Sequence, residues 1–176
     1  MNLEHKFCTL GTDVTVTDGT TISGYASLFG AADQGGDTVQ RGAYGASLAK
    51  GRGVKMLWQH DPTQPIGVWD EVREDDKGLW VKGRLLTDVA KGREAASLIA
   101  ARAIDGLSIG YRTVKASKDT NGGRLLAELE LWEVSLVTFP MLPDARVGAK
   151  GDDPAATAMR EMAAAFEGAR QVMARD

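Results

Sequence analysis

The hydrophobic pattern of the chain mostly repeats every second residue and is broken at short intervals by glycine, proline and aspartate. Such alternation predicts β-strands over residues 12–17, 22–29, 54–59, 66–74, 79–86, 107–115 and 125–139. Turns are predicted at Asp18-Gly19, 75–78 and 121–123, and a long loop at 30–45. Many short strands joined by tight turns predict a mainly β (α+β) domain rather than a helical bundle.

Two segments change to a helical period. Apolar residues at helical spacing predict an amphipathic helix within 87–104, with Thr87 or Asp88 as its N-cap. A linker at 150–154 leads into an Ala-rich segment with a second apolar stripe at helical spacing. We therefore predict a β-rich domain over 1–149, followed by a linker and C-terminal amphipathic helix over 150–176. That spacing suits a helix packed on its own domain and equally one that binds a partner.

Composition narrows the classes of function. The net charge of −3 and the absence of a Lys/Arg block argue against nucleic acid as the main partner. Cys8 is the only cysteine, which excludes an intrachain disulfide and a cysteine metal cluster. The N-terminus lacks a signal-peptide pattern, and no apolar run reaches the ~20 residues of a membrane span. We expect a soluble intracellular protein without a cofactor, a metal or a membrane partner.

Histidine is scarce, with only His5 and His60 in the chain. His5 lies in a polar N-terminal stretch and is predicted to be solvated. His60 continues the alternation of Val54, Met56 and Trp58, so we expect its side chain at the apolar mouth of a β-core, where that strand ends. A histidine in that place can serve as a general base near neutral pH, although a purely structural histidine fits the pattern as well.

The segment Gly106-Leu107-Ser108-Ile109-Gly110 matches the G-x-S-x-G string of α/β-hydrolases. That fold is not expected here, because the strands lack βαβ alternation and no histidine follows Ser108. On a strand, Gly106, Ser108 and Gly110 share one face, and the glycines are predicted to leave room for a substrate backbone beside the hydroxyl. A buried, hydrogen-bonded structural serine is the alternative.

An acidic residue, Glu133, interrupts the strongly apolar segment 131–137. An ionised carboxylate in such surroundings is costly unless it is paired. A histidine that it orients would supply the partner, and Arg112 or Arg124 would serve equally well.

Five stretches, in order and spacing, resemble the tailed-phage prohead protease family, which is related to the herpesvirus assemblins. They are GYASLFG (24–30), GDTV with GAY (36–44), LWQHDP with PIG (57–67), GLSIGY (106–111) and LWEVSLVTFP (131–140). The resemblance covers residues 20–145. It implies a compact β-barrel with peripheral helices, with Ser108 as nucleophile and His60 as base. Glu133 stands where the assemblins carry a second histidine, and Glu128, Glu130 and Asp105 compete with it as third member.

The same resemblance implies a serine endopeptidase that processes phage capsid and scaffold proteins during prohead maturation, and also itself. It implies action in the host cytoplasm, inside the assembling prohead, with the major capsid protein as partner and a homodimer as one possible state. An oxyanion hole is required; glycine-rich backbone or Arg112 could supply it. The alternatives are a catalytically silent capsid assembly protein with the same barrel and an unrelated β-barrel binding module.

Overall fold

The computed structural model describes residues 3–7, 15–33, 35–119 and 122–138. The predicted linker and C-terminal helix over 150–176 lie outside these ranges, so the domain boundary at 149 stays a prediction. The described strands are β1 (Glu4–Phe7), β2 (Thr15–Thr17), β3 (Thr21–Leu28), β4 (Thr38–Val39), β5 (Lys55–Trp58), β6 (Asp61–Glu74), β7 (Gly78–Leu85), β8 (Gly106–Lys118) and β9 (Arg124–Val137). The described helices are α1 (Gly45–Ala49) and α2 (Ala90–Ala100). Neither of these two helices is long and apolar enough to cross a bilayer.

The described strands form one sheet in the order β1-β8-β9-β5-β6-β7-β3-β2. Strand β4 lies outside this order and pairs with β9. The sheet curls into a half-barrel, which confirms the predicted mainly β, barrel-type fold. The hydrophobic core includes Ile22, Met56, Ile66, Val81 and Val134, which are almost completely buried. The Asp18-Gly19 turn is also confirmed, because both residues have the positive φ that such hairpin turns require.

The sequence did not predict β1, β4 or α1. The expected loop at 30–45 contains β4 and runs into α1, because β4 pairs in parallel with β9 and Asp37 forms an ion pair with Arg124. The short strand β1 pairs with β8 although its sequence is polar. The cap prediction for α2 is wrong: its N-cap is Val89, without a side-chain cap, and neither Thr87 nor Asp88 takes that position.

Candidate active site

Three neighbouring strands position the residues that the sequence singled out. The hairpin of β8 and β9 pairs Ser108 with Ser135 and Gly110 with Glu133. On the other side of β9, β5 runs parallel to it and ends beside Leu136. Directly paired residues of adjacent strands point to the same face, and so do residues two apart on one strand. Ser108, Glu133 and Ser135 therefore share one face of the sheet.

Gly110 makes room for the Glu133 carboxylate. A Cβ atom at Gly110 would lie 2.7 Å from the carboxyl carbon of Glu133 and closer still to Oε1, well inside van der Waals contact. The prediction that this glycine clears space for a substrate backbone is therefore wrong, since the side chain of Glu133 fills that space. Because Gly110 on β8 has no side chain, the side chain of Glu133 on β9 can pack directly against its backbone.

His60 is held by a tight turn rather than by a strand. Trp58 pairs with Asp61, and the two residues between them, Gln59 and His60, have φ values of 51° and 62°. The prediction that His60 continues the alternation of β5 is wrong, because the chain has already left the strand there. Positive φ costs roughly 1–2 kcal/mol for a residue with a Cβ atom. Such local strain often marks functional sites.

Hydrogen bonds to β9 stabilise this turn. The backbone N–H of Gln59 donates to the carbonyl of Leu136 at 2.9 Å, and its side-chain amide donates to Thr138 Oγ1 at 2.5 Å. The backbone N–H of His60 donates to Ser135 Oγ at 3.2 Å. The turn is thus anchored on β9, the strand that carries Glu133.

The imidazole of His60 and the carboxylate of Glu133 form the central contact of the site, with Nδ1 and Oε1 2.5 Å apart. Burial raises the pKa of Glu133, but the nearby imidazole of His5 and the hydrogen bonds from His60 and Ser135 outweigh it and hold the pKa below the ordinary value. An ionised carboxylate can only accept, so Nδ1 of His60 carries the proton. In the neutral ring Nε2 is then the basic nitrogen.

Ser135 connects the turn to the acid. Its Oγ donates to Glu133 Oε2 at 2.5 Å while accepting from the backbone N–H of His60. The side chain is fully buried, so both bonds form away from water, where they orient their partners strongly. Ser135 was not singled out from the sequence. Its position two residues after the acid was the signal that could have found it.

His5 is exposed, as predicted, but it also lies beside the site. Its Nδ1 lies 3.7 Å from Glu133 Oε1, and its ring centroid lies 3.9 Å from that of His60. The register of β1 explains this position, because His5 pairs with Gly110, the residue across which Glu133 lies. The sequence holds only two histidines, and the fold brings both to the same carboxylate.

The competing partners are engaged elsewhere. Arg112 pairs with Glu130 at 2.5 Å, Arg124 pairs with Asp37 and Glu4, and Glu128 pairs with Lys115. Asp105 lies just before the start of β8. Glu133, among the acids considered for the third position, forms a hydrogen bond with His60.

Ser108 is fully buried between its neighbours. Its Cα partners are Phe7 on β1 and Ser135 on β9, so a strand flanks it on each side.

Known proteins match most of this chain in sequence. A family model described as caudovirus prohead serine protease matches residues 10–161. The prohead protease of Enterobacteria phage HK97 is 32% identical over 132 residues, which are 73% of this chain. The chain spans 59% of the length of that relative.

The chain also matches solved structures. The capsid assembly protease of bacteriophage T4 matches with a TM-score of 0.64 at 15% identity, covering 78% of this chain and 99% of that one. The protease of varicella-zoster virus matches with a TM-score of 0.44 at 13% identity, covering 72% of this chain and 62% of that one. The T4 match supports the architecture of a capsid-protease fold.

Proposed function

The chain belongs to the caudovirus prohead serine protease family, and from that premise we propose that it is a serine endopeptidase with Ser108 as nucleophile, His60 as general base and Glu133 as the residue that orients His60. The observation that carries the proposal is the 2.5 Å contact between His60 Nδ1 and Glu133 Oε1. It lies on the sheet face that also carries Ser108.

The proposed reaction is acyl transfer through these three residues. Nε2 of His60 takes the hydroxyl proton of Ser108 as Oγ attacks the peptide carbonyl, and the imidazolium then gives that proton to the leaving amine. Water, deprotonated in turn by Nε2, hydrolyses the ester and restores Ser108. Glu133 keeps the proton of His60 on Nδ1 and stabilises the imidazolium, which its lowered pKa allows because it stays ionised at neutral pH.

We further propose that the substrates are the capsid protein and scaffold proteins of the phage, together with the chain itself, and that cleavage takes place inside the assembling prohead. The relatives named as a prohead protease and a capsid assembly protease support this assignment. The linker at 150–154 is the expected site of self-cleavage, since exposed polar linkers are cut most readily. A high local concentration within a shell would favour processing of many copies.

Replacing Ser108 with Ala tests the nucleophile. Full-length chain is co-expressed with the major capsid protein of the same phage, and products are read by gel and intact mass. Wild type should yield shortened capsid protein, whereas Ser108→Ala should leave it uncut. Ser27→Ala is the matched control, because Ser27 is equally buried and its hydroxyl has no hydrogen-bond partner within the described chain.

Fluorophosphonate labelling provides a second measurement that needs no substrate. Mass mapping should place the label on Ser108 in wild type and in Ser27→Ala. A label on another serine, or cleavage that continues in Ser108→Ala, would contradict the assignment. A folded wild type that neither cleaves nor takes the label would favour a catalytically silent assembly protein.

A further inference from the structure

The only two histidines of the chain meet at one buried carboxylate. His5 reaches it from β1, and His60 reaches it from the turn after β5. One ligand atom from each of His5, His60 and Glu133 can be chosen so that all three lie within 4.8 Å of one another. No step of the proposed reaction uses His5, which leaves its position at the site unexplained by catalysis.

We propose that His5, His60 and Glu133 form a binding site for Zn²⁺ that switches the peptidase off. Two imidazoles and a carboxylate are a ligand set that zinc accepts, with a water molecule completing a tetrahedron. Zinc bonds to nitrogen and oxygen are about 2.0–2.2 Å long, so ligand atoms of one ion lie roughly 3–3.5 Å apart. The separations from Glu133 Oε1 are 2.5 Å to Nδ1 of His60 and 3.7 Å to Nδ1 of His5, close to those that one ion requires.

The surroundings suit an ion that enters from solvent and is then held firmly. The side chain of His5 is 38% exposed, while those of His60 and Glu133 are 13% and 3% exposed. The other carboxylate oxygen, Oε2, accepts from Ser135, and such an outer hydrogen bond orients a ligating group. His5 thus lies on the solvent side of the site, and His60 and Glu133 lie on its buried side.

Inhibition follows from the position of the proton, and this step depends on the proposed function. Zinc takes the Nδ1 lone pair of His60, so the proton that Nδ1 donates to Glu133 moves to Nε2 and the ring stays neutral. Nε2 then carries hydrogen and cannot accept the proton of Ser108. The ion also occupies Glu133 Oε1, which removes the acceptor that holds His60 in its active tautomer.

Calorimetric titration of ZnCl₂ into full-length Ser108→Ala protein tests the site without depending on catalysis. We expect saturable binding of one ion per chain, weakened at least about tenfold when His5→Gln is added. Cys8→Ser, which removes the only thiol, is the matched control and should bind as tightly as its parent. MgCl₂ should not compete, since magnesium prefers oxygen ligands. Circular dichroism verifies that each variant is folded.

The inhibition is measured with active protein, each variant compared with its own rate in chelator. Zinc should slow wild type and Cys8→Ser alike, and His5→Gln should need at least about tenfold more zinc for the same loss. Absence of saturable binding, unchanged binding in His5→Gln or loss of binding in Cys8→Ser would overturn the proposal. Failure of the proposed function would appear instead as continued cleavage by Ser108→Ala, with the zinc titration unaffected.

Discussion

Gly110→Ala should separate the role of the acid from that of the nucleophile. The added methyl group would lie 2.7 Å from the carboxyl carbon of Glu133 and 2.9 Å from its Cγ, so the carboxylate that bonds His60 must shift. Forcing extra volume into such a packed site costs about 1–3 kcal/mol of stability. A displacement of about 1 Å in a catalytic group lowers rates roughly 100-fold, and loss of the correct histidine tautomer sets a ceiling of about 10⁴.

The assay is the second-order rate of fluorophosphonate labelling of Ser108, together with urea unfolding of each variant. Gly45→Ala is the matched control, because its new Cβ would meet nothing closer than an oxygen of Glu74 at 3.9 Å. We expect Gly110→Ala to label about 100-fold more slowly, and Gly45→Ala to label as wild type does.

A second substitution sharpens the test. Aspartate at position 133 is shorter by one methylene, so Glu133→Asp alone should slow labelling. When Glu133→Asp is added to the Gly110→Ala variant, it should slow labelling far less or restore it. Such coupling between touching residues is typically about 0.5–3 kcal/mol. If Gly110→Ala keeps both its labelling rate and its stability, Glu133 does not orient His60 through this packing.

The remaining predictions concern the hydrogen bond to the acid, the core and acid stability. Ser135→Ala removes a hydrogen bond to the charged Glu133 and should lower the labelling rate by about 10- to 100-fold; unchanged labelling would refute it. Met56→Ala should cost about 2–5 kcal/mol in urea unfolding because the side chain is 1% exposed, while Val114→Ala, 48% exposed, should change it by less than about 0.5 kcal/mol. Although burial raises the pKa of Asp75, hydrogen bonds, first those from backbone N–H groups, lower it to about 2. The stabilisation by ionised Asp75 is therefore complete above the unfolded pKa and is lost as the pH falls towards 2. The difference in unfolding free energy between wild type and Asp75→Asn should shrink from about pH 5 to about pH 2.5. At this surface site the change should be no more than about 1 kcal/mol.

Local patterns predicted the strands well because each strand carries its own alternation. The hairpin of β6 and β7 and the long pair β8 and β9 follow from apolar periodicity and from the turns between them. The polar strand β1 and the two-residue strand β4 carry no such signal. They exist because β8 and β9 offer unpaired backbone groups, which is a property of the assembled sheet.

Within the site, the sequence identified the candidate residues but did not predict which of them contact one another. Ser108, His60 and Glu133 stood out because a serine between glycines, a histidine at a strand end and an acid in an apolar strand each need an explanation. The part played by Gly110 could not be predicted, since it depends on which residue of β9 lies opposite. The position of His60 was also misjudged, because two consecutive residues with positive φ leave no mark in the hydrophobic pattern.

The sequence by itself determined a β-rich fold, a family and a short set of candidate active-site residues, since these depend on residue order and local periodicity. Only the tertiary structure decided that Glu133 bonds His60, that Ser135 links the two, and that His5 shares the carboxylate. The physical reason is sheet register. A shift of one residue in the pairing of β1, β8 and β9 would turn these side chains to the opposite face and separate them.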